Sequence, residues 1–174
     1  IAPGSVWETK RWLPEGFAQV VAASRERGWV PVILGSADER DLAWRIAELS
    51  KVRPVVLAGE SGVQELIALL AGARALVGND SGPAHVAAAV GIPVVSVFGS
   101  TTPEQGYAAF GAETRVVERK GLDCRPCGRH GHATCPLGHF RCMREIHASD
   151  VIERLDELAG APGVAFAAGE SSGR

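Results

Sequence analysis

The sequence lacks several features that would assign it to a common class of protein. No stretch approaches the roughly 20 consecutive apolar residues that cross a membrane, and no basic segment followed by an apolar one begins the chain, as in a secretory signal. The net charge is only −2, and aromatic residues make up 6% of the chain. Because nucleic-acid binding uses positive charge and aromatic stacking, we expect no nucleic-acid partner. Because no apolar run is long enough, we also expect no transmembrane segment.

The 174 residues, 46% of them hydrophobic, suffice for one core. Short β-branched runs alternate with segments whose apolar residues recur at helical spacing. The runs are too apolar for half-exposed strands, so we predict a Rossmann-like α/β fold, a doubly wound parallel sheet. The predicted strands are 30–34, 54–57, 75–77, 93–98 and 114–117. We expect this domain to cover residues 1–159 and the Gly- and Ser-rich residues 160–174 to form a flexible tail.

The segment Gly78-Asn-Asp-Ser-Gly-Pro-Ala-His follows a predicted strand and opens a helix. Asp80 or Ser81 can cap that helix, Gly82 lets a ligand approach the backbone, and Pro83 suits the first helical position, which needs no N–H group. The free N–H groups and the partial positive charge of a helix start favour a phosphate. From the octapeptide alone, an ordinary capped helix is equally consistent.

A series of motifs resembles a known family. They are Ala2-Pro-Gly-Ser, Lys10-Arg-Trp-Leu-Pro, Leu34-Gly-Ser-Ala-Asp-Glu, Asn79-Asp-Ser-Gly-Pro-Ala-His and Val97-Phe-Gly-Ser-Thr-Thr-Pro. In this order and spacing they resemble the C-terminal half of family 9 glycosyltransferases, the ADP-heptose:lipopolysaccharide heptosyltransferases, and most of all the heptosyltransferase II type. The resemblance covers about residues 2–159. It implies the GT-B architecture, in which two Rossmann-like domains face each other across a cleft.

The resemblance also implies roles for individual residues in binding the nucleotide-sugar donor. Ser5 and Lys10 would bind the diphosphate, Glu39 the ribose hydroxyls, and residues 80–85 the same phosphates and the adjoining sugar. His85 would donate a hydrogen bond to a phosphate, although it also fits a purely structural position. From the sequence alone, Lys10 fits a solvated surface charge equally well, and Glu39 fits a solvated helix start better.

The function implied by the resemblance is transfer of heptose from ADP-heptose to the lipopolysaccharide inner core. The acceptor site and the general base would lie in a domain before Ile1, so we assign no catalytic residue here and expect a fragment that is inactive alone. No Asp-x-Asp pair lies near Lys10, so we expect catalysis to need no metal cofactor. We expect the protein in the cytoplasm or peripherally at the inner membrane. Alternatives are a non-catalytic nucleotide-binding or zinc-containing interaction module, and a GT-B transferase with another nucleotide-sugar.

All four cysteines lie in one loop, residues 121–144, which is rich in Gly, Pro, His and Arg. They are Cys124, Cys127, Cys135 and Cys142. Four thiolates with one C-x-x-C pair suit a tetrahedral structural zinc, which would replace the apolar core that the loop lacks. Free thiols fit equally well, and disulfides formed by oxidation of the purified protein are a third alternative. Three histidines could each replace a thiolate: His130, His132 and His139. The loop arginines fit a solvated basic surface or one that faces an anionic acceptor.

Overall fold

The apolar runs of the sequence form parallel strands. Within residues 1–111 and 113–160, which the computed structural model describes, there are five of them. They are β1 (Val32–Ile33), β2 (Val55–Val56), β3 (Leu76–Asn79), β4 (Val94–Phe98) and β5 (Thr114–Glu118). Each overlaps its predicted range, although β1 and β2 have only two paired residues each.

The N-terminal segment joins these strands into one order. β1 pairs with β2, and β3, β4 and β5 pair in sequence, all in parallel. Ile1 and Ala2 lie between β1 and β3, since the Leu34 N–H donates to Ile1 O at 2.8 Å and the Ala2 N–H donates to Val77 O at 2.9 Å. The order across the sheet is therefore β2, β1, the N-terminal segment, β3, β4, β5. Counted from the N-terminal segment as strand 1, this is 3-2-1-4-5-6, the Rossmann order. Such sheets bind ligands at the carboxyl ends of their strands, where the order reverses.

Helices alternate with the strands, as predicted. They are α1 (Pro14–Glu26), α2 (Arg40–Ser50), α3 (Val63–Ala71), α4 (Gly82–Ala89), α5 (Arg141–Arg144) and α6 (Ala148–Ala159), with 3₁₀ turns at Glu8–Lys10, Ala37–Glu39 and Pro103–Gln105. Pro14 occupies the first position of α1, where the missing N–H costs nothing. No helix of the described ranges is long and apolar enough to cross a membrane.

Apolar clusters cover both faces of the sheet. Adjacent residues of a strand point to opposite faces: Leu76 of β3 packs with α3 and α4, whereas Val77 packs with α1, α2 and α6. Val94 and Val95 of β4 divide in the same way and are both fully buried. The predicted doubly wound sheet is therefore confirmed. Residues 161–174, the greater part of the predicted flexible tail, lie outside the described residues.

Candidate functional site

Three loops meet at the carboxyl edge of the sheet where the strand order reverses, and Asn79 holds two of them together. This last residue of β3 is fully buried. Its Nδ2 donates to Pro3 O at 2.7 Å, and its Oδ1 accepts the Trp12 N–H at 3.0 Å. Asn79 therefore fixes the loop that carries Lys10 against β3. Sequence reasoning gave Asn79 no role of its own, although a carboxamide that ends an apolar strand was a usable signal.

Lys10 is buried in this site, so of its two alternatives the solvated surface charge is excluded, and its contact with the diphosphate stays a prediction. Lys10 Nζ lies 2.5 Å from Asp80 Oδ2, with side chains only 11% and 3% exposed. The Thr101 hydroxyl donates to the same carboxylate oxygen at 2.6 Å. Lys10 Nζ also lies 5.0 Å from the ring centroid of Tyr107, within cation–π distance. A buried ammonium is thus held in one place by a carboxylate and an aromatic face.

The start of α4 differs in detail from its prediction. Neither Asp80 nor Ser81 caps the helix with its side chain, because Asp80 binds Lys10 and Ser81, at the N-cap position, makes no side-chain cap bond. The helix begins at Gly82, so Pro83 is its second residue and not its first. A Cβ added at Gly82 would meet no heavy atom within 4 Å. His85 is exposed in the first turn.

Ser5 and Glu39 lie at the same edge of the sheet. Ser5 is 7% exposed, and its carbonyl accepts a hydrogen bond from Arg11 Nε at 2.7 Å. The Ser36 N–H donates to Glu39 Oε2 at 2.8 Å. The Glu39 carboxylate lies so close to Gly4 that a Cβ there would overlap it. Glu39 therefore reaches from the end of β1 to the loop after the N-terminal segment and is not merely a solvated helix start; its contact with ribose stays a prediction.

A cavity of about 570 Å³ lies at the opposite, amino edge of the sheet. It is lined mainly by apolar residues that precede β1 and β3. Its one arginine, Arg74, donates to Ala159 O at 2.7 Å and lies over the Trp29 ring at 4.9 Å. Because ligands of Rossmann-like sheets bind at the carboxyl edge, the candidate functional site is the one around Lys10 and not this cavity.

The cysteine-containing loop, residues 121–144, is anchored in the protein core. Leu122, Cys142 and Met143 are 9%, 7% and 0% exposed and belong to the cluster beneath α1 and α6. Met143 lies against Gly99, where a Cβ would overlap its side chain. The expectation that the loop lacks apolar anchors is therefore wrong, because Leu122 near the start of the loop and α5 at its end both supply them.

The four cysteines are free thiols in two environments. Three are partly exposed, and Cys142 is buried. Burial raises the pKa of Cys142 to about 11 and also raises the pKa of Cys127 above its ordinary value. Cys124 Sγ lies 3.9 Å from His139 Nε2. Within residues 1–111 and 113–160, no group of three His, Cys, Asp or Glu side chains is arranged to hold a metal. Zinc binding by this loop stays a prediction.

Thiol reactivity separates the alternatives for this loop. In the metal-free native protein, we expect Cys142 to react with iodoacetamide far more slowly than the other three thiols. Since its pKa is about 11, its rate should rise about tenfold per pH unit between pH 8 and 10, because only the thiolate reacts. Mass spectrometry of alkylated peptides measures this order. A Cys142 that reacts as fast as Cys124 would contradict it.

A structural zinc would protect all four thiols together. Elemental analysis that finds about one equivalent of zinc would support a metal site, provided that a chelator removes the zinc and makes the loop sensitive to protease. Four thiols that titrate in metal-free protein, with a loop unchanged by chelator, would rule the metal site out. The core contacts of Leu122 and Met143 predict that the sheet stays folded in either case.

Comparison with known proteins gives this geometry a family. A family profile described as Glycosyltransferase family 9 (heptosyltransferase) matches residues 1–138. Over 130 residues the chain is 40% identical to Lipopolysaccharide heptosyltransferase 1 of Pseudomonas aeruginosa, which covers 71% of this chain and 34% of that protein. The chain is similar in structure to E. coli ADP-heptose lps heptosyltransferase II, with a TM-score of 0.72 at 26% identity over 91% of this chain and 45% of that one.

A family 9 glycosyltransferase from Veillonella parvula has a TM-score of 0.75 at 26% identity and covers 91% of this chain and 44% of its own. The chain thus spans less than half of the length of these three relatives. They include proteins named as heptosyltransferase 1 and heptosyltransferase II, so together they identify the family but not the type.

Proposed function

Because the chain belongs to glycosyltransferase family 9, as its motifs indicated, we propose that it is the donor-binding half of a heptosyltransferase. It would bind ADP-heptose for transfer of the sugar to the lipopolysaccharide inner core. The observation that carries this proposal is the buried Lys10–Asp80 pair, which lies beside the start of α4 at the reversal of the strand order. Relatives named as heptosyltransferases support the same sugar and acceptor.

The reaction would break the bond between the anomeric carbon of heptose and a phosphate oxygen of ADP. A new bond forms between that carbon and an acceptor hydroxyl oxygen, and the hydroxyl proton passes to a general base that we propose in the other half of the enzyme. Negative charge grows on the departing phosphate oxygen. The Lys10 ammonium and the amide of Gly82, which has no intrahelical acceptor, would stabilise that charge.

Asp80 would act through Lys10. A carboxylate repels a diphosphate, and Asp80 is already bound by Lys10 and Thr101. In this proposal Asp80 therefore holds the Lys10 ammonium in place and does not contact the diphosphate. In this proposal Glu39 binds the ribose hydroxyls, while Ser5 and the exposed His85 donate hydrogen bonds to the diphosphate.

Positive charge for the leaving group comes from Lys10 and the helix start in this proposal, so transfer would need no divalent cation. Full activity of the whole enzyme in excess chelator would agree with it, and loss of activity restored by magnesium would overturn it. The proposed location is the cytoplasm, with peripheral attachment to the inner membrane where the acceptor resides.

The 174-residue chain is expected to bind ADP but to transfer no sugar by itself. Orientation of both substrates across a closed cleft supplies much of the rate in a two-substrate reaction, and this chain offers one side of the cleft. Calorimetry with ADP, UDP and GDP tests the first part, and an assay with ADP-heptose and a lipopolysaccharide acceptor tests the second.

Two results would count against this proposal. Tighter binding of UDP or GDP than of ADP would favour a transferase that uses another nucleotide-sugar. Measured turnover by the isolated chain would show that the acceptor site is contained in it.

A further inference from the structure

Arg125 of the cysteine-containing loop is a buried connector. Its side chain is 5% exposed and pairs with Glu118, the last residue of β5, at 2.9 Å. Nε donates to Gly99 O at 2.5 Å, and NH2 donates to Thr101 O at 2.8 Å. A buried guanidinium is retained only where its donors are satisfied, and the planar fork of Arg satisfies several acceptors at once. The prediction of a solvated basic loop is therefore wrong for this residue.

The contacts of Arg125 lead directly to Lys10. Arg125 binds the carbonyl of Thr101, and the Thr101 hydroxyl donates to Asp80 Oδ2 at 2.6 Å. Asp80 in turn pairs with Lys10 Nζ at 2.5 Å. Three consecutive contacts thus connect a loop residue to the ammonium of the site. If Arg125 is lost, the segment that ends β4 loses the charged group that fixes its carbonyls.

The loop has a second attachment, at Thr9, the residue before Lys10. The His132 N–H donates to Thr9 Oγ1 at 2.7 Å, and the Thr9 N–H donates to His132 O at 3.1 Å. Gly131, with φ +93°, packs so closely that a Cβ would lie 2.7 Å from Ser100 Oγ, 2.9 Å from Thr9 Oγ1 and 3.2 Å from Lys10 Cγ. The loop therefore contacts Lys10 and the residue before it.

We propose that loop 121–144 is a brace for the Lys10 site, attached at Thr9 through His132 and at the end of β4 through the positioning residue Arg125. The loop holds the ammonium at the place where the diphosphate binds, so donor affinity depends on the integrity of the loop. The proposal deepens the proposed function and relies on it only for the choice of ADP as the ligand.

A matched pair of glycine variants tests the attachment at Thr9. Gly131→Ala adds a Cβ that collides with Ser100 and Thr9, whereas Gly138→Ala adds one to the same loop where nothing lies within 4 Å. Both glycines have positive φ, +93° and +68°, so both variants carry backbone strain. We expect Gly131→Ala to raise the dissociation constant of ADP about tenfold, the scale of one lost charge-assisted hydrogen bond. Gly138→Ala should match the parent. Equal affinity of the two variants would overturn the brace.

Arg125 variants test the other attachment with a readout at Lys10 itself. In Arg125→Gln, we expect ADP to bind about tenfold more weakly and the ¹H–¹³C signal of the Lys10 ε-methylene to shift before any ligand is added. Arg125→Lys should recover part of both, because it keeps the charge but not the fork. Arg144→Gln removes an exposed charge of the same loop and serves as the control. An Arg125→Gln protein with the Lys10 signal and ADP affinity of the control would overturn the proposal.

The same measurements distinguish failure of the brace from failure of the proposed function. If the parent chain does not bind ADP, the proposed donor site is wrong. The ligand-free Lys10 signal still decides the brace, since a shift in Arg125→Gln but not in Arg144→Gln supports it and no shift in either contradicts it.

Discussion

Replacement of Lys10 by methionine is expected to lower both the free energy of unfolding and the affinity for ADP. The substitution leaves the carboxylate of Asp80, whose side chain is 3% exposed, without its cation. Breaking a buried pair by removing one partner costs roughly 3–5 kcal/mol. Loss of the charge-assisted hydrogen bond to phosphate should weaken ADP binding by about tenfold or more. Chemical denaturation and calorimetry measure the two effects separately.

A double variant separates the two roles of Lys10. Addition of Asp80→Asn to Lys10→Met removes the uncompensated charge while it keeps an oxygen that can accept the Thr101 hydroxyl. We therefore expect the double variant to regain most of the lost stability but none of the ADP affinity. Lys120→Met is the control, because the Lys120 side chain is 83% exposed and its Nζ lies 3.8 Å from Glu118, which keeps Arg125 as its closer cation; loss of such an exposed charge costs little. Recovery of ADP affinity in the double variant would show that Lys10 does not touch the ligand.

The strands and the position of the candidate site at the carboxyl edge of the sheet could be predicted because their signals are local. Short, β-branched apolar runs such as 93–98 are typical of strands in a sheet covered on both faces, and the structure buries all of β4. The glycine-, serine- and proline-containing turn after β3 is a helix start, and α4 begins at Gly82. The resemblance to the family predicted which residues at this edge form one binding site.

The environment of Lys10 could not be predicted, because it depends on partners far away in the chain. Asp80 and Thr101 follow the ends of two other strands, and Asn79 donates to the carbonyl of Pro3, 76 positions earlier in the chain. Arg125 resembles its neighbouring arginines in sequence, and only tertiary contact with Gly99 and Thr101 sets it apart. The prediction that Asp80 caps α4 was wrong for a related reason. Its carboxylate pairs with the Lys10 ammonium and not with the first amides of α4.

Gly82→Val is expected to weaken ADP binding on the order of a hundredfold without harm to the fold. The residue is exposed at the first position of α4, and a Cβ there would meet no protein atom within 4 Å. The protein therefore has room for a branched side chain, and the space it fills is the approach to the first amides of the helix. Two charge-assisted hydrogen bonds lost together should weaken ADP on the order of a hundredfold, more than either Lys10→Met or His85→Ala.

The comparison with Gly72→Val makes this test specific. Gly72 is the exposed C-cap residue of α3, away from the site, with φ −94° and no atom nearer than 3.9 Å to an added Cβ, so we expect the same substitution to leave the fold intact there. Thermal unfolding of both variants should stay close to that of the parent, whereas calorimetry should show weakened ADP binding for Gly82→Val alone. Gly82→Ala, with a single methyl group, should fall between Val and the parent. If ADP binds Gly82→Val as tightly as the parent, the diphosphate does not lie on the start of α4, and Lys10 must hold its ligand from another side.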